Sequence, residues 1–154
     1  MSRAFVKEPD ADAVDDLPDR PVSEHVNYVT AAGLAEIEES LRRLREDWTA
    51  AQKAGDRAAL ARTARDLRYW NARRASAQPV PPPPADGTVH FGSTVTIARD
   101  DGRRQTFRIV GEDEADPARG TLSYVSPMAR ALLRRAEGDV LQVAGHAVEI
   151  VEVG

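Results

Sequence analysis

The chain has 154 residues, 42% of them hydrophobic and 30% charged, with 25 acids against 21 bases and no cysteine. That length holds one ordinary domain, or a small core domain with an appended element, and excludes a large enzyme. The missing thiols exclude a disulfide framework, a thiolate zinc site and a cysteine nucleophile, and the net charge of −4 argues against nonspecific nucleic-acid binding as the main activity.

Charge is unevenly distributed. Residues 1–24 carry seven acids against Arg3, Lys7 and Arg20; residues 31–78 carry ten bases against seven acids; residues 85–154 carry eight bases against eleven acids. These differences suggest separate modules. The N-terminus "MSRAFVKEPDADAVDD" has no apolar run of signal-peptide length, and no segment approaches the roughly 20 apolar residues of a membrane span. A cytoplasmic protein with no membrane partner is expected.

Residues 1–28 are acidic, proline-containing and poor in large apolar side chains, a composition that predicts a disordered tail. Residues 29–78 predict a helical hairpin. Thr30 suits an N-cap, and Leu34, Ile37, Leu41, Leu44, Trp48 and Ala51 then recur at spacings of 3, 4, 3, 4 and 3, an a/d seam. Gly55 suits a left-handed C-terminus, and Asp56 suits the cap of a second helix. On that helix Leu60, Ala64, Leu67 and Trp70 share a face before the seam turns polar at Arg73 and Arg74. So short a turn makes the helices antiparallel neighbours, with arms of about 25 residues, or roughly 35 Å.

The proline-rich linker at 79–87 predicts an extended break. From 88 the period becomes strand-like. "VHFGSTVTIA" and "QTFRIV" flank a turn at "DDG", residues 100–102, and "TLSYV" gives a third strand. Ser126 and Pro127 open a short helix, and "DVLQVAGHAVEIVEV" supplies two closing strands. The expected class is α+β: an N-terminal antiparallel coiled-coil hairpin, then an antiparallel sheet over 88–154 with one short helix.

Few residues point to chemistry. His25, His90 and His146 have no metal-ligand spacing, and no phosphate loop, dinucleotide fingerprint or nucleophile elbow occurs. No cofactor is expected. Glu112, Asp113, Glu114 and Asp116 read as a solvated turn. Arg57, Arg62, Arg65, Arg68, Arg73 and Arg74 form a ladder on the second helix, either a solvated face or a surface for an acidic partner.

The module order, with "FGSTVTIARDDGRRQTFRIVGEDEAD" and "SPMARALLRRAEGD", resembles the GreA/GreB family of bacterial transcription elongation factors over residues 30–154. The resemblance implies an FKBP-like C-terminal domain that docks on RNA polymerase, and a coiled-coil finger that enters its secondary channel. Nucleic acid would be met only through the transcription complex. Family members present two acids at the finger tip, which help to hold a magnesium ion in the polymerase and so promote cleavage of backtracked RNA. The factor is not itself an enzyme.

In the family motif a Gly-Asp pair is followed, three positions after the Asp, by Glu and then Asn. Here Gly55 and Asp56 match, but Ala59 and Leu60 fill the later positions. Asp47 and Asp66 lie too far back along the arms to replace the missing acid. Both arms also look shorter than the family's, by about 10 Å of reach. The implied finger-tip residues are Gly55, Asp56 and Arg57, with Asp56 a possible shared magnesium ligand. The implied docking residues are Ser126, Pro127, Met128, Arg130 and Arg134. The expected role is a polymerase-binding regulator with weak or lost cleavage stimulation. Alternatives are a full cleavage factor and an interaction protein like the regulator of nucleoside diphosphate kinase. An FKBP-like fold also raises prolyl isomerisation, but the few aromatic residues do not support a proline pocket.

Overall fold

A computed structural model describes residues 17–154. It contains two compact units, residues 17–24 with Ile37–Ala75, and His25–Glu36 with Ser76–Gly154. In chain order the elements are β1 (Tyr28–Val29), α1 (Ala31–Ala54), α2 (Arg57–Ser76), β2 (Gln78–Pro79), β3 (Thr94–Arg99) and β4 (Arg104–Val110). A 3-10 turn (Pro117–Arg119), β5 (Thr121–Ser123), α3 (Pro127–Leu132), β6 (Val140–Val143) and β7 (His146–Val153) complete the chain.

Thr30 caps α1: its Oγ1 accepts the Gly33 N–H at 3.0 Å and its carbonyl accepts the Leu34 N–H at 2.9 Å. Along the seam Ile37, Leu41 and Ala51 are buried, and Leu44 and Trp48 are half-buried. The second arm is shorter, 20 residues against 24, and buries only Ala61, Thr63 and Arg73. Its predicted face, Leu60, Ala64, Leu67 and Trp70, is half-buried throughout. Where the seam turns polar, Arg73 is nevertheless 1% exposed, while Arg74 is exposed. The whole Arg73 side chain is enclosed, guanidinium included, and has an interaction partner there, which a hydrophobicity pattern does not register.

In the second unit five strands lie in the order β5-β4-β3-β7-β6. β3 pairs antiparallel with β4 across the turn at 100–102 and antiparallel with β7, which pairs antiparallel with β6. The expected all-antiparallel sheet is corrected at one edge, where β5 runs parallel to β4 with Arg108 opposite Thr121. The chain between them does not fold back as a hairpin. It crosses through Gly111 and the 3-10 turn, which Asp116 caps by accepting the Ala118 N–H at 3.2 Å, and so brings β5 alongside β4 in the same direction. Val89, Val95, Ile97, Ile109, Leu132, Val148 and Ile150 are fully buried between this sheet and α3.

β1 and β2 make a separate parallel pair, with Gln78 N–H on the Asn27 carbonyl at 2.8 Å and Val80 N–H on the Val29 carbonyl at 2.9 Å. The proline-rich stretch 79–87 falls within the second unit. Part of the expected disordered tail is also corrected. Residues 1–16 lie outside the described residues, but residues 17–24 lie along α2, and Asn27 is buried. Ion pairs, a cation–π contact and backbone hydrogen bonds fix this segment. Composition counts only its lack of apolar side chains.

Candidate functional site

The hairpin tip is built from a helix end and a helix start that share one residue. Gly55 has φ 62°, the left-handed conformation that glycine adopts without a Cβ clash. The Gly55 N–H donates to the Gln52 carbonyl at 3.2 Å and the Asp56 N–H to the Ala51 carbonyl at 3.1 Å, the two bonds of a Schellman ending. Asp56 then caps α2. Its Oδ1 accepts the Ala59 N–H at 3.0 Å, and its carbonyl accepts the Leu60 N–H at 3.0 Å. Gly55, Asp56 and Arg57 are exposed. Asp47 lines the same shallow depression of about 400 Å³ as Asp56, with a floor that includes Ala50, Ala54 and Ala59.

One carboxylate, with one oxygen committed to its own helix, does not make a magnesium site. Octahedral Mg²⁺ needs several oxygen ligands, and no group of three or more Asp, Glu, His or Cys side chains suited to a metal occurs among the described residues. At its apex the tip presents the Asp56 carboxylate and the neighbouring Arg57, with Asp47 lining the same depression.

In the second unit the acidic loop is not merely a solvated turn. The half-buried Glu114 carboxylate accepts the Thr30 N–H at 3.0 Å, the Thr30 hydroxyl in a short hydrogen bond, and the Gly111 N–H at 3.3 Å. A capping box draws its carboxylate from the third helical residue, here Gly33. A Cβ on Gly33 would fall 2.1 Å from Glu114 Oε2, so a residue 84 positions away fills the space that a local Glu side chain would use. Sequence reasoning missed this role. The signal was the glycine at the third position of α1, where a capping box would place Glu or Gln.

The implied docking residues lie on and after α3. Ser126 Oγ accepts the Ala129 N–H at 3.3 Å and Pro127 occupies the first helical position. Pro127, Arg130 and Arg134 are exposed, while Met128 packs against the core. Arg134 has φ 68° and donates its backbone N–H to the Val89 carbonyl at 2.9 Å, a left-handed turn that ends the helical segment. The five residues thus combine structural duties with three exposed side chains.

The histidines remain separate. His90 Nε2 lies 2.9 Å from Asp86, and this contact, with the Thr88 N–H, holds the Asp86 carboxyl below its ordinary value. His146 lies 3.4 Å from Asp100. The arginine ladder divides: Arg68 meets Asp19 at 2.5 Å, Arg74 meets Glu38 at 3.1 Å, and Arg73 is buried. No helix among the described residues is long and apolar enough to cross a membrane.

The described residues thus combine a helical hairpin, whose exposed tip carries an acidic cap, with an α+β sheet module. Residues 84–154 match the family model described as transcription elongation factor GreA/GreB, C-terminal. The chain is 34% identical to transcription elongation factor GreB of Neisseria meningitidis serogroup B, over 76% of this chain and 84% of that protein. It is 50% identical to transcription elongation factor GreA of Hyphomonas neptunium, over 42% of this chain and 45% of the other. GreA factor homolog 1 of Thermus thermophilus is a structural neighbour with 20% identity and a TM-score of 0.41, covering 84% of this chain and 99% of that one. The chain belongs to the GreA/GreB family of transcription elongation factors.

Proposed function

We propose that the chain binds RNA polymerase at the secondary channel and regulates elongation from the cytoplasm, with little or no stimulation of transcript cleavage. The observation that carries this reading is the tip: Gly55 and Asp56 preserve the turn and the cap, while Ala59 stands where the family motif has its second acid. In two-metal hydrolysis a carboxylate cluster holds the cation that generates the attacking hydroxide. A tip with one acid whose Oδ1 already accepts a helix N–H contributes less to such a cluster. The factor itself performs no step. It occupies the channel and changes what can enter, and it meets nucleic acid only within the transcription complex.

A shorter finger belongs to the same reading. The match to the Neisseria GreB spans 139 aligned positions but 76% of this chain, about 117 residues, and the roughly 20 positions without a counterpart would shorten the reach if they fall in the arms. The exposed Pro127, Arg130 and Arg134, with Ser126 and Met128 fixing α3, form the proposed docking surface. The deciding experiment is RNA cleavage in a stalled, backtracked elongation complex with wild type, Asp56→Ala and Ala59→Glu. Wild type is expected to be near background while competing with a two-acid factor, and Ala59→Glu to raise cleavage. Robust wild-type cleavage abolished by Asp56→Ala would establish a full cleavage factor instead.

A further inference from the structure

The segment before β1 provides an occupant for the arginine ladder that lies within the chain itself. Arg20 ion-pairs with Asp66 at 3.3 Å, and its guanidinium stands 4.0 Å from the centroid of Tyr69 and 6.0 Å from that of Trp70. Arg68 reaches back to Asp19 at 2.5 Å and donates to the Leu17 carbonyl at 3.5 Å. Leu17, Asp19 and Arg20 thus strap the segment 17–24 to α2, within the same compact unit.

The manner of attachment matters. The strap has no fully buried side chain, and its one large aliphatic beyond Leu17, Val22, is 46% exposed. Its anchors are partly exposed ion pairs, with Arg68 and Asp19 side chains 51% and 70% accessible, together with a cation–π contact. Exposed pairs of this kind contribute little each and weaken as salt screens them. The hairpin's own seam, with Ile37, Leu41, Ala51 and Ala61 buried, does not include the strap. Beneath the strap lie Arg68, the rings of Tyr69 and Trp70, and Asp66, which Arg65 also approaches at 3.7 Å; two guanidiniums against one carboxylate leave an aromatic face with a net positive charge, which suits an acidic protein surface. Asp19 occupies the place that an acid of such a surface would take.

We propose that residues 17–24 are an autoinhibitory strap, a charge-held cover on α2 that must leave before this face can meet an acidic surface of the polymerase. The role as a cover rests on the channel-binding reading; the latch itself does not. A binding-competent state populated only in part lowers apparent affinity in proportion to that fraction. Opening a latch of exposed ion pairs and the Arg20 contacts with the Tyr69 and Trp70 rings should therefore raise affinity about three- to tenfold.

The test uses the full-length chain and its Asp19→Ala/Arg20→Ala variant, which alters nothing on either helical arm. Amide exchange across 17–24 and tryptophan emission report the latch; titration against core RNA polymerase reports the cover. Expected are slowed exchange of 17–24 in wild type that is lost in the variant and in high salt, and a severalfold gain in polymerase affinity for the variant. Equal exchange in the two proteins overturns the latch. An opened variant with unchanged or weaker affinity overturns the cover and makes the strap a brace or a contact. If neither protein binds polymerase, the channel-binding reading fails and takes the cover with it, while the exchange result still decides the latch.

Discussion

The sheet unit and the hairpin hold themselves together by different means. In the sheet, β-branched residues alternate inward from β3 and β7, and Val95, Ile97, Val148 and Ile150 reach zero exposure beneath α3. In the hairpin, α1 supplies large aliphatics but α2 buries an alanine, a threonine and an arginine. The sheet unit rests on apolar area, which ionic screening does not weaken. The hairpin has a narrower seam, encloses one charged side chain, Arg73, and leaves its tip exposed.

The largest expected effect follows from the apolar side of this contrast. Ile97→Ala removes a fully buried side chain at the centre of the sheet and is expected to cost about 2–5 kcal/mol in urea unfolding. A loss no larger than that of a surface substitution would break the comparison. Next is the distant cap on α1. Glu114→Ala removes the acceptor for the Thr30 and Gly111 N–H groups and should cost about 1–3 kcal/mol. Adding Gly33→Glu to that variant should recover part of the loss, because a glutamate at this position can reach the Thr30 N–H locally. No recovery would mean that Glu114 acts through packing alone.

At the tip, Gly55→Ala places a Cβ at φ 62° and is expected to cost on the order of 1 kcal/mol, read from thermal unfolding of the helical signal. The smallest effect is at the β3–β4 turn. The Asp101 carboxyl sits below its ordinary value, held first by the Arg103 backbone N–H and then by the Arg103 guanidinium. A lowered folded-state value means that the stabilisation is present above the unfolded carboxylate range and lost as pH falls through the folded value. Asp101→Asn should therefore lower the melting temperature slightly at neutral pH, and the difference should shrink in acid. A difference that grows on acidification would reverse the assignment.

What was legible in the sequence was local. Thr30, the a/d seam, Gly55 and Asp56 define the hairpin because caps and periodicity act within one or two turns, and Ser126 with Pro127 marks α3 for the same reason. What was not legible joins distant residues. The parallel placement of β5 depends on the path of an irregular crossover, Glu114 caps a helix 84 positions away, and Arg20 finds aromatic rings on α2. The family motif named the tip and the α3 surface. The cap at Asp56 was legible as well, and only the geometry showed that the acidic loop does more than solvate a turn.

The parallel pairing of Tyr28–Val29 with Gln78–Pro79 fastens the chain just before α1 and just after α2, and both strands belong to the sheet unit. The hairpin is thus an insertion behind a fixed collar. Taking seven residues from each arm shortens it by about 10 Å, keeps the seam in phase and leaves the collar's hydrogen bonds untouched. Length becomes a heritable dial, adjustable in steps of a heptad pair while the sheet module keeps its register.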